Sequence, residues 1–189
     1  MPGPHSANPR NRAPRPLDPT RLEELALAYV ARFSVSAAKL EQYLRRKLRE
    51  RGWDAEGEPE IHRLVDRLVS LRYVDDEAFA RSKAAGLLRR GYGPRRVNQA
   101  LSAAGIEAEL REKVRTGEAA ERAAALAMAR KRRLGPFGAE PPDRQQREKQ
   151  IAALLRAGHA LASARELVEA RSIEEAENWA EAIEEEFPE

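Results

Sequence analysis

Gly52, Gly105 and Gly158 lie 53 residues apart, and a leucine stands four positions before each of them: Leu48, Leu101 and Leu154. A fixed interval of this kind is what a duplicated structural unit leaves in a sequence. The surrounding text agrees, since LRRKLRERGW, NQALSAAGI and QIAALLRAGH each run an amphipathic pattern into the glycine. Glycine enters the left-handed conformation that ends a helix without a Cβ clash, and the leucine then sits one turn earlier. The next residue, Trp53, Ile106 or His159, is placed to fold back on that last turn. The chain therefore reads as an array of three helical modules, an architecture that offers a binding surface more readily than a catalytic pocket.

Apolar spacing fills in the modules. Asp18 and Pro19 open a helix carrying Leu22, Leu25, Ala26, Tyr29 and Phe33; a second carries Leu40, Leu44 and Leu48; a third, from about Pro59, carries Ile61, Leu64, Val65, Leu68 and Leu71. Asp75 caps the next helix, with Asp76 and Glu77 in its first turn and Phe79, Ala80, Leu87 and Leu88 inward. Gly93-Pro94 starts a helix running to Gly105, and a short one follows with Leu110 and Val114. An alanine-rich helix, a Gly/Pro loop at 135–142 and two more helices complete the third set. The predicted divisions are a disordered basic arm at 1–17, three-helix modules at 18–73, 74–116 and 118–171, and an acidic amphipathic helix at 172–189. In that last helix Ser172 and Glu175 have capping-box spacing, and Trp179 docks on the third module. No segment alternates with period two, so the expected class is all-α.

Composition excludes several kinds of chemistry. There is no cysteine, so neither disulfides nor thiolate metal sites are available. His5, His62 and His159 have no metal-ligand spacing, and Gly91-Tyr92-Gly93-Pro94 follows a helix and lacks the lysine or serine of a phosphate loop. Asp75-Asp76 is explained by helix capping rather than magnesium. The expectation is a cytoplasmic, monomeric protein that is not an enzyme, needs no cofactor and has no membrane span.

Charge is the positive signal. The net charge is only +3 overall, yet it alternates: +6 over residues 1–53, −5 over 54–80, +6 over 81–106, −1 over 107–118, +5 over 119–158 and −8 over 159–189. One basic cluster falls in each module. The first is Arg45, Arg46, Lys47 and Arg49; the second Arg89, Arg90, Arg95 and Arg96; the third Arg130, Lys131, Arg132 and Arg133. Such clusters neutralise phosphates or pair with an acidic protein surface. Tyr92, among the second cluster, stands where it could stack on a base, although a Gly-Tyr-Gly turn more often packs its tyrosine inward. Asn98 and Gln99 leave open a different reading, a free-standing helix-turn-helix-like regulator that reads duplex DNA. The acidic tail is expected to fold over the basic surface and temper binding to single strands.

The stretch LRYVDDEAFARSKAAGLLRRGYGPRRVNQALSAAGI resembles the RecX family of recombination regulators. The matching elements are Tyr73, Asp75, Asp76, Phe79, Ala80, Arg90, Gly93, Arg95, Arg96, Val97, Leu101, Gly105 and Ile106, and the likeness extends over roughly residues 22–170. Where family members commonly read Gly-Phe, this chain has Gly158-His159. The resemblance implies three tandem three-helix modules in an elongated, curved array. It also implies a partner, the RecA recombinase filament on single-stranded DNA, whose ATP hydrolysis and strand exchange such proteins restrain. It transfers no catalytic residue.

Overall fold

The computed structural model describes residues 15–182, and every regular element among them is a helix. The chain divides between Val74 and Asp75 into two compact units. The arm through position 14, and Ile183, Phe187 and Pro188 of the acidic tail, lie outside the described residues.

The first unit holds α1 (Pro19–Val30), α2 (Ala37–Arg51) and α3 (Ile61–Ser70). Asp18 caps α1 by accepting from the Arg21 N–H at 2.8 Å, and the buried Ser36 caps α2 by accepting from the Lys39 N–H at 3.3 Å. Leu22, Ala26, Leu40, Leu44, Ile61, Val65 and Leu68 converge in one core, with Tyr29 stacked on Tyr43 at 3.8 Å beside it. One boundary differs from the sequence reading. Leu17, assigned to the disordered arm, is fully buried in this core. Its N–H donates to the Gly52 carbonyl at 2.9 Å and its carbonyl accepts from the Asp54 N–H at 2.8 Å. The physical reason is positional: an apolar residue just before an N-cap packs on the fourth helical residue, here the buried Leu22. Burying Leu17 contributes about 1.5–3 kcal/mol, which the proline- and arginine-rich composition around it conceals.

The second unit contains α4 (Asp76–Arg89), α5 (Pro94–Ser102), α6 (Ala108–Lys113), α7 (Glu118–Arg132), a 3-10 turn at Gly135–Phe137, α8 (Arg144–Arg156), α9 (Leu161–Glu169) and α10 (Ile173–Glu181). Its buried side chains form two clusters. Ala80, Ala84, Leu87, Val97, Leu101, Ile106 and Val114 make one, completed by Ala124 of α7. Ala125, Leu126, Met128 and Ala129 of the same helix belong to the other, with Leu154, Leu167, Val168, Ala176 and Ala180. Alternate faces of α7 thus wall two interiors.

The repeated glycines behave as their spacing requires, with φ of 81° at Gly52, 76° at Gly105 and 97° at Gly158. After the second and third, the chain turns back so that the Ile106 N–H reaches the Leu101 carbonyl and the His159 N–H reaches the Leu154 carbonyl, each at 3.1 Å. After the first, Trp53 instead stands opposite Leu17. The same backward bond closes α7, where the Leu134 N–H reaches the Ala129 carbonyl at 2.9 Å and Arg133 takes the left-handed conformation, φ 54°. At the tail, the Ser172 hydroxyl accepts from the Glu175 N–H as expected, but the Glu175 carboxylate accepts from the Arg171 N–H, so the reciprocal half of the predicted box is missing. A complete capping box stands at Asp143 and Gln146.

Candidate nucleic-acid interface

The second basic cluster is built around the turn between α4 and α5. Arg89 and Arg90 end α4, and the Arg90 Nε–H donates back to the Gly86 carbonyl at 3.0 Å while its guanidinium lies 6.0 Å from the Tyr92 ring. Arg95 and Arg96 occupy the first turn of α5 and are exposed. The turn between them is held from α8. The Gly93 N–H donates to the Ala157 carbonyl at 2.9 Å, the Arg95 N–H to the Gly158 carbonyl at 3.2 Å, and His159 Nε2–H to the Gly91 carbonyl at 3.0 Å. A carbonyl only accepts, so the neutral ring carries its proton on Nε2. Burial pushes the His159 pKa down, with the Gly91 bond a smaller opposing influence. The departure from Gly-Phe therefore leaves a fully packed residue that also supplies a polar tie. Because protein carbonyls already take its N–H groups, the start of α5 offers no free amides to an anion, and the charge for one must come from side chains.

Among the described residues, none of Arg89, Arg90, Arg95 and Arg96 forms an ion pair with a carboxylate. The first cluster contrasts with it. On α2, Arg45 pairs with Glu41 at 2.6 Å, while Lys47 and Arg46 share Glu50 at 2.6 and 3.6 Å. The hydrogen bond from Lys47 holds the Glu50 carboxyl below its usual range. Arg46 and Lys47 also flank the Tyr43 ring, and Arg49 sits exposed in the last turn. In the third cluster Arg130 pairs with Glu177 of α10 and lies 5.9 Å from the Phe137 ring. Lys131 and Arg132 are exposed, and Arg133 is the left-handed cap of α7. The three groups are alike in sequence and unlike in compensation.

The other motif residues have structural employment. Asp75 caps α4 by accepting from the Ala78 N–H at 2.9 Å, and Asp76 opens the first turn. Phe79 packs on the first core of the second unit with Lys83 over its ring at 5.5 Å, Gly105 closes α5, and Tyr73 is 59% exposed. Arg122 was not legible as important, since it is one arginine in an alanine-rich helix. It pairs with Glu118, lies 5.2 Å from the Trp179 ring and donates to the Trp179 carbonyl at 2.9 Å and to that of Ala182. It thereby fixes α10 to α7, with Trp179 docked against the core as its spacing predicts. No helix among the described residues is long and apolar enough to cross a membrane.

Residues 75–114 match the model of the second three-helix domain of RecX. The chain is 34% identical over 165 residues to the regulatory protein RecX of Myxococcus xanthus, covering 82% of this chain and 88% of that one. It is also 37% identical over 89 residues to the regulatory protein RecX of Thermus thermophilus, covering 47% and 59%. Among solved structures, RecX from Lactobacillus salivarius superposes with a TM-score of 0.63 at 18% identity, over 79% of this chain and 94% of that one. A second structure of the regulatory protein RecX gives 0.60, also at 18% identity, over 79% and 72%.

Proposed function

Because this chain belongs to the RecX family of regulatory proteins, we propose that it binds the RecA recombinase filament on single-stranded DNA and restrains the filament's ATP hydrolysis and strand exchange. It does so as a cytoplasmic monomer in DNA recombination and repair, through its basic clusters and without catalysis of its own. The observation that carries the reading is the group Arg89, Arg90, Arg95 and Arg96, exposed and without carboxylate partners among the described residues. Four uncompensated guanidinium groups on one braced turn are a standing demand for external negative charge, which a nucleoprotein filament supplies at high density. Replacing all four with alanine should raise the concentration needed to inhibit RecA ATPase by more than about tenfold, with the circular dichroism of the helices unchanged. Unaltered inhibition would sink the proposal.

A second reading, a free-standing duplex-binding regulator, draws on Asn98 and Gln99, both exposed on α5 beyond the arginines. Those side chains have the chemistry to read adenine edges. Preference for one sequence among random duplexes, in the absence of RecA, would favour it.

A further inference from the structure

A cleft of about 250 Å³ opens where the first turns of α5 meet the end of α6. Its floor is apolar and buried, made by Val97, Leu101 and Val114. Around it stand Arg95, Asn98, Arg111 and Arg115. Glu112 also lines it and is engaged with Arg115 at 3.2 Å, and the charge of Arg115 also acts on the Glu121 carboxylate, so the surplus positive charge rests on Arg95 and Arg111. Arg111 is half-buried, and its Nε is fully covered with no acceptor among the described residues. That nitrogen is sealed from the cleft, so it pins the side chain in place at a cost and a ligand can be met only by the rest of the guanidinium fork. Arg95 likewise has no carboxylate partner among the described residues.

We propose that this cleft is a phosphate-binding site that takes the backbone phosphates of a single-stranded nucleic acid. Its volume falls below the ~300 Å³ at which pockets begin to enclose whole small-molecule ligands, so it fits one group of a larger chain. Guanidinium forks match the paired oxygens of a phosphate and bind them with two parallel bonds. The Asn98 amide adds a neutral donor, and the apolar floor keeps the local dielectric low, which strengthens each of those bonds. The site deepens the reading above by naming which groups of the strand are held. It rests on that reading only for the choice of strand.

The test uses the full chain without RecA, so its failure is separable from failure of the filament reading. Binding of a fluorescein-labelled oligo(dT) of about 15 nucleotides is followed by anisotropy across a salt series, for the parent chain and Arg111→Met. Methionine keeps the stem packing and removes the charge. The expected result is affinity lowered about three- to tenfold with a log–log salt slope shallower by about 0.7, the value of one lost single-strand phosphate contact. An unchanged slope overturns the proposal. The same loss on oligomers with and without a 5′-phosphate supports backbone phosphates; a loss confined to the phosphorylated oligomer overturns that assignment. Should Arg111→Met not fold, the Arg111 Nε–H resonance of the parent chain decides the matter. It should move on addition of sodium phosphate and stay still in sodium chloride of equal ionic strength. A resonance that ignores phosphate but moves with a glutamate-rich peptide would overturn the proposal in favour of a protein carboxylate.

Discussion

His159 shows how one substitution within a repeat alters the physics of a site while keeping its shape. It occupies the place of Trp53 and Ile106, is 1% exposed, and holds the Gly91 carbonyl through Nε2. Its pKa in the folded chain lies below the ordinary 6.5, chiefly through burial. The unfolded chain therefore takes up the proton first as pH falls. Stability is full above about pH 6.5 and declines below it, by at most about 1.4 kcal/mol per pH unit for one proton. His159→Gln retains an N–H donor and cannot titrate, so the melting temperature of the parent chain should fall more than that of the variant between pH 7.5 and 5.5; parallel curves would refute the assignment. The sequence placed residue 159 correctly and could not say what it did, because its partner is a carbonyl 68 positions away. Leu17 was illegible for the opposite reason: one buried leucine was averaged into a polar, proline-rich arm.

At the scale of elements, the junction of α5 with the end of α8 is as close a backbone approach as the second unit has, matched where Gly135 meets the Leu167 carbonyl. A Cβ on Gly93 would lie 2.4 Å from the Gly158 carbonyl carbon and the His159 nitrogen, and both sides of that contact are backbone. Neither side can yield by a rotamer change. Gly93→Ala should therefore cost about 1–3 kcal/mol or more, while Gly117→Ala, with open space around it and φ −67°, should cost under about 1 kcal/mol. Urea denaturation of the two variants checks the contrast, and equal midpoints would contradict it. Helix identity was legible because most helices carry their own apolar period and half of the ten described α-helices are opened by a capping side chain. Contacts between helices were not. Charge summed over 107–118 comes to −1, which hid Arg111 and Arg115, four positions apart and bordering one cleft with Arg95. Of the tail expected to fold over the basic surface, the described residues place one carboxylate, Glu177, on one clustered arginine, Arg130. Yet Ala176 and Ala180 of α10 are core residues, so removing that helix would open an interior as well as uncover charge.

Over the whole molecule, the three arginine groups that look equivalent in sequence divide by what stands beside them. Glu41 and Glu50 answer the first and Glu177 answers part of the third, whereas the second has no such partner among the described residues. Exposed pairs of this kind are worth about 0.2–1 kcal/mol each, a small sum that still decides how much charge is left for a ligand. Alanine at Arg45, Arg46, Lys47 and Arg49 together should change RecA inhibition by less than about threefold, against the larger loss expected from the second group; equal losses in a side-by-side ATPase titration would show that local pairing does not rank them. Helix α7 carries a consequence of a different kind. With Ala124 facing one interior and Ala125 the next, an added methylene at either position presses into a packed cluster. Drift at these two positions must stay among the smallest side chains, so an alanine-rich run that looks featureless in the sequence is constrained from two sides.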